Sequence, residues 1–218
     1  MPGLTYWQLM RTIWAFLLGK ERIPNQRWLY VEITNVCNLK CRFCAYPKVE
    51  KSISRKITSQ QDFVHNIRQA QIAGIDHFGL TPTIGDVFVD RKFTDKLEFL
   101  ERDHGVVAYR FTTNLILPSA AVVKTLFSLR KLQILGISVY GHNEETFRLM
   151  TGGNANAYAR LLKNLHTLLD ADEVTPRINI GLRTRSTFPG VAYSDSTLSN
   201  MIYAICKKHK NVEVDANQ

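Results

Sequence analysis

WLYVEITNVCNLKCRFC, residues 28–44, begins as a strand and ends as a ligand loop. Its first seven residues, WLYVEIT, form the short, nearly continuous apolar run of a strand buried in a sheet. Cys37, Cys41 and Cys44 then fall within eight residues, in the spacing C-x3-C-x2-C. The 218-residue chain has only one other cysteine, Cys206. Three chemistries use clustered cysteines. A structural zinc site wants four protein ligands, and only Cys206, far off in the last helical pattern, could complete it. A disulfide with an odd thiol left over suits an oxidising compartment. An iron–sulfur cubane on three thiolates leaves one iron open to an exogenous ligand, whereas electron-carrier clusters use four cysteines.

Outward from this stretch, strand-like runs alternate with helical patterns. After the cysteine loop, TSQQDFVHNIRQAQIAG has Thr58 or Ser59 as N-cap, Phe63, Ile67, Ala70 and Ile72 as a core face, and Gly74 as a stop. HFGLT (77–81), VVAYRFTT (106–113), LQILGISV (132–139), PRINIGLR (176–183) and VEVDA (212–216) are the further strands. Between them lie FTDKLEFLERDHG, then PSAAVVKTLFSL with Pro118 in its first turn, one long helix over 144–169, and DSTLSNMIYAICKKH. Six βα units in order predict a parallel sheet buried on both faces. It is either a barrel short of the full eight units or an open doubly wound sheet. In both, the residues after each strand share one rim. Here they are the three cysteines, TPTIGD, Thr113-Asn114, Ser138-Tyr140-Gly141 and Arg183.

Composition is that of a soluble globular chain, 45% hydrophobic and 22% charged. The net charge of +9 is uneven: residues 1–60 hold ten Lys/Arg against Glu21, Glu32 and Glu50, or +7. Such a surface attracts anions. TYWQLMRTIWAFLLG (5–19) has helical apolar spacing, but Arg11 interrupts it and it is too short to span a bilayer. Residues 1–27 therefore read as an amphipathic helix and linker docked on the domain or a partner, in preference to a membrane surface. No cleavage site marks a signal peptide, and a reducing cytoplasm is the expected compartment.

CNLKCRFC, on the loop after the first strand, resembles the radical S-adenosylmethionine (radical SAM) superfamily, and the resemblance runs from Trp28 to Asp215. It implies an α/β fold, a partial (β/α)6 TIM-like barrel over 28–218 with the N-terminal amphipathic helix added. It also implies a [4Fe-4S] cluster on Cys37, Cys41 and Cys44 whose open iron chelates S-adenosylmethionine. The cofactor carries the radical chemistry, and the protein orients it. By the same resemblance Phe43 lies beside the adenine. Gly85 and Asp86 of IGDVFVD stand where the family has Gly-Gly-Glu-Pro, toward the methionine ammonium; Ile84 and Val87 depart from that pattern. Ser138 and Arg160 are the candidates for the methionine carboxylate. The implied partners are an anionic or peptide substrate and a reducing electron-donor protein. Many members append a cysteine-rich domain; here Cys206 reads as a buried helix residue, so the chain reads as a minimal core or a piece of a longer protein. The alternative is a metal-stabilised α/β RNA-binding module. It would need aromatics among the basic residues, and Trp28, Tyr30, Phe43 and Tyr46 are the available set.

Overall fold

Strands too short to be stable alone must pair, and six of them do. The computed structural model describes residues 28–183 and 197–215; the N-terminal helix expected within 1–27 lies outside the described residues. The strands are β1 (Trp28–Tyr30), β2 (His77–Gly79), β3 (Ala108–Thr113), β4 (Leu132–Tyr140), β5 (Arg177–Arg183) and β6 (Val212–Asp215). They form one parallel sheet in the order β1-β2-β3-β4-β5-β6. Among the described residues no ladder joins β6 back to β1, so the barrel is partial and open.

β1 is shorter than its apolar run. The Val31 N–H still reaches the Gly79 carbonyl at 2.8 Å. Beyond it the chain leaves the sheet, and Thr34 bridges antiparallel to Ile57.

The helices are α1 (Tyr46–Val49), α2 (Gln60–Ile72), α3 (Phe93–Arg102), α4 (Ala120–Phe127), α5 (Glu144–Thr151), α6 (Ala155–Asp170) and α7 (Thr197–Lys208). Ser59 caps α2 as expected, its hydroxyl accepting from the Asp62 N–H at 3.0 Å. Two expectations need correction. α4 starts at Ala120 because Ser119 is the N-cap, which leaves Pro118 ahead of the helix rather than in its first turn. The stretch 144–169 is two helices. Gly152 ends α5 with φ +65°, a left-handed turn that suits glycine, and Asn154 caps α6.

The two faces of the sheet differ in chemistry. Tyr109, Phe111, Leu135, Ile137, Val139, Ile178 and Ile180 alternate along β3, β4 and β5 and are buried in the hydrophobic core. The alternate set on these strands, Arg110, Thr112, Ile134, Gly136, Ser138, Asn179 and Gly181, lines a cavity of about 390 Å³. The expected burial of the sheet on both faces is therefore corrected: the inner face, Ile134 apart, is polar or small and borders a cavity. Glycine keeps it hollow. A Cβ on Gly136 would stand 2.5 Å from the Thr112 hydroxyl. Among the described residues no helix is long and apolar enough to cross a membrane.

Candidate functional site

The three cysteines sit where β1 leaves the sheet, on a loop gripped from three sides. From β2, Gly85 presses on it with φ +135°, and a Cβ there would meet the Val36 carbonyl at 2.9 Å. The next N–H, of Asp86, donates to that same carbonyl at 3.0 Å. From β3, Asn114 pairs its side-chain amide with that of Asn38, between the first two cysteines; the Asn114 Nδ2 donates to Asn38 Oδ1 at 2.8 Å. From α5, the broken helix end offers two carbonyls. Thr151 accepts from the Lys40 N–H at 2.8 Å and Met150 from the Arg42 N–H at 3.0 Å. Carbonyls in a helix's last turn have no intrahelical donor, and a continuous helix over 144–169 would have used them internally.

Asp86 is the hub of the rim. Its carboxylate, 3% exposed, accepts from the Phe88 N–H (3.0 Å), the Thr113 hydroxyl (2.9 Å) and the Asn114 N–H (2.8 Å). Burial raises its pKa, and these three donors oppose the rise. Thr113 in turn accepts from Leu115 N–H at 3.0 Å. Leu115 holds φ +56°, a left-handed conformation that is uncommon without glycine.

The thiols form one group. Burial pushes Cys37 up to about 11, and the charges of Asp86 and Cys44 add to the rise. Burial pushes Cys41 up to about 12, with Cys37 and Cys44 adding to it. Cys206 rises through burial alone. It packs against the core from α7 and shares no interaction with the three. Three like charges brought together in a partly dry loop are unfavourable unless a cation compensates them.

Backbone N–H groups already face two sulfurs: Leu39 to Cys37 at 3.5 Å and Tyr46 to Cys44 at 3.4 Å. Such hydrogen bonds tune iron–sulfur clusters. A structural zinc site wants four protein ligands, and Cys206, the fourth cysteine, is on α7. Three thiolates on one loop would instead suit a cubane with one iron left open.

The other candidates are spread along the same rim. Phe43 is half-buried, its ring 4.8 Å from that of Tyr140 at the end of β4. Ser138 is half-buried and lines the inner cavity. Arg160 is exposed on α6 and donates to the Leu117 carbonyl at 2.8 Å, so it touches the loop after β3 and is not among the cavity's lining residues. Of Arg183, which ends β5, only the backbone is described.

Sequence reasoning missed the Asn38–Asn114 pair and the α5 carbonyls. Their signals were Asn114 at a strand end and the Gly152-Gly153 pair inside a helical pattern. It also missed Arg110, whose signal was a charge inside an apolar strand. The aromatics required for RNA stacking are dispersed: Tyr46 is buried, Phe43 packs on Tyr140, and Trp28 and Tyr30 engage Arg110.

A family model of the Radical SAM superfamily matches residues 31–187. The chain belongs to the radical SAM superfamily, whose cofactors are a [4Fe-4S] cluster and S-adenosylmethionine. No curated protein matches the chain. Among solved structures, Streptococcus suis SuiB bound to S-adenosylmethionine aligns with TM-score 0.57 at 16% identity, over 98% of this chain and 45% of that one. Native anSMEcpe with bound AdoMet and a Cp18Cys peptide aligns with TM-score 0.54 at 18% identity, over 71% and 42%. TYW1 with a lysine-pyruvate adduct bound aligns with TM-score 0.52 at 13% identity, over 84% and 72%. At these identities the likeness is one of fold. The chain spans less than half the length of the SuiB and anSMEcpe chains.

Proposed function

We propose that this chain is the core of a radical SAM enzyme, with Cys37, Cys41 and Cys44 holding the cluster. The observation that carries the reading is the loop itself: three mutually interacting thiols, no fourth cysteine among them, and backbone restraint from β2, β3 and α5. When bound, the cluster and S-adenosylmethionine supply one-electron cleavage of the sulfonium and a carbon radical able to abstract hydrogen from a substrate.

In this reading the protein's own residues bind and orient. Phe43 gives an apolar face to the adenine, while Ser138 and Arg160 donate to the methionine carboxylate. Gly85 lets the β2 loop approach the cluster loop. An ionised carboxylate has about four acceptor sites, and three donors already reach Asp86. Room remains for about one more, which we assign to the methionine ammonium.

We assign the radical SAM core domain to residues 28–218 and its place of work to the cytoplasm. The exposed basic residues of the cluster loop, Lys40 and Arg42, receive an acidic electron-donor protein. The anSMEcpe structure holds a peptide; we assign this chain a peptide or other anionic substrate.

The test is anaerobic reconstitution with iron and sulfide, then reduction in the presence of S-adenosylmethionine. Release of 5′-deoxyadenosine supports the reading. A cluster that assembles but never yields it refutes the enzyme.

A further inference from the structure

Arg110 contrasts with Arg177, the other sheet arginine whose side chain is described. Its neighbour in the same cross-strand layer is Ile134, which is in register with Arg177 on β5, and Arg177 forms an ion pair with Glu213. Arg110 has no such partner among the described residues. Instead its guanidinium lies over the Trp28 ring, 4.1 Å from the centroid, and donates to the Tyr30 hydroxyl at 2.6 Å. The fit is built into the strands. Tyr30, Gly79 and Arg110 are in register across β1, β2 and β3. A Cβ on Gly79 would stand 2.6 Å from the Tyr30 ring; with none, that ring can cross β2 and bring its hydroxyl to Arg110.

A guanidinium has five N–H donors in a rigid fork. One face is stacked and one nitrogen is taken by Tyr30, and the group lines the 390 Å³ cavity beneath the rim. It lies three residues, roughly 10 Å, below the end of its strand. The cavity is polar elsewhere too. The Asn179 Oδ1 is buried there without a donor among the described residues, an arrangement that a polar ligand relieves. The cavity's one carboxylate among the described lining residues, Asp215, is on β6 at the sheet's far edge.

We propose that Arg110, oriented by Trp28 and Tyr30, anchors an oxyanion of the substrate, a carboxylate or a phosphate, inside the barrel. The assignment of that oxyanion to the substrate rests on the radical SAM reading; the anion site itself does not. A fork with free N–H pairs binds both oxyanions in two-point fashion.

The full 15N-labelled chain, without cluster, is titrated with inorganic phosphate and separately with succinate at constant ionic strength. The Arg110 Nε–Hε resonance, identified by its loss in Arg110→Lys, is followed. Saturable shifts are expected, and the tighter arm tells a phosphorylated from a carboxylate-bearing substrate. Calorimetric affinity for that anion should fall about tenfold or more in Arg110→Lys and severalfold in Tyr30→Phe, with Arg177→Lys unchanged. An Arg110 response that stays linear for both anions overturns the site. So does a Tyr30→Phe titration superimposable on the unsubstituted chain. Failure of cluster assembly would remove the enzyme reading but leave these titrations unchanged.

Discussion

At the rim, Asp86 receives three donors, Asn114 and Asn38 pair amide to amide, and the free carbonyls of α5 accept from the cluster loop. A few residues below, inside the barrel, Arg110 has no carboxylate partner and Asn179 Oδ1 no donor among the described residues. Buried polar groups are nearly always satisfied, so each region states its task. The rim has spent most of its hydrogen bonds on itself and restrains the loop that carries the three thiols. The interior has kept donors and acceptors in reserve and uses Gly136 and Gly181 to keep volume. Pre-organisation belongs to the first region and recognition to the second. Changes at the rim should alter the cluster, stability or the binding of the cofactor next to it; changes inside should alter ligand affinity and leave the cluster in place.

The most severe break is at the thiols. Replacing Cys37, Cys41 or Cys44 with Ala should abolish cluster assembly, read as iron content and visible absorbance after anaerobic reconstitution. Cys206→Ala should keep both, at a small packing cost. Loss of the cluster in Cys206→Ala would make it a fourth ligand, and no open iron would remain.

Next comes Gly85→Ala. The left-handed backbone, φ +135°, penalises an L side chain by about 1–3 kcal/mol. The new Cβ also meets the Val36 carbonyl. Thermal unfolding should drop, and cluster retention with it. An unchanged melting temperature would mean the β2 loop does not grip the cysteine loop.

Asp86 offers a pH test. Its folded pKa is raised, chiefly by burial. The folded state therefore binds the proton more tightly than the unfolded state. Stability should decline as pH rises from the ordinary aspartate pKa to the raised folded value, then level off. Asp86→Asn should remove that decline and, by loss of a charge-assisted acceptor, weaken S-adenosylmethionine binding. Parallel pH–stability curves for the two proteins would show that Asp86 does not titrate in this window.

A milder change is Ser138→Ala, which removes a hydrogen bond worth about 1.5–3 kcal/mol if its partner is charged. S-adenosylmethionine affinity should fall roughly ten- to a hundredfold, with iron content unchanged. Full affinity in the variant would take Ser138 out of the cofactor site.

The smallest effect is expected from salt. Lys40 is 65% exposed at its side chain, and exposed charges act over about one Debye length. Turnover driven by a protein reductant should slow as ionic strength rises, whereas turnover with a small chemical reductant should not. An equal response would make the basic loop merely solubilising.

Periodicity and spacing carried the six strands, the parallel α/β architecture and the ligand loop, because each is written in local residue patterns. The sequential strand order, which local patterns left open between a short barrel and a doubly wound sheet, came from the folded sheet. Six apolar runs separated by helical patterns can pair in few ways, and C-x3-C-x2-C on the loop after the first strand has few uses. Other features were invisible until distant strands met. The pattern over 144–169 has one helical period, so its break at Gly152 became meaningful only when the cysteine loop supplied donors for Met150 and Thr151. Asn38 and Asn114 are 76 residues apart; a place at a strand end put Asn114 on the rim but could not name its partner. Arg110 was a charge in an apolar strand until Gly79 allowed Tyr30 to cross to it. Local patterns specify which segments bury themselves. Which buried groups find partners, and which are left for a ligand, depends on register across the sheet, and only the folded chain sets that.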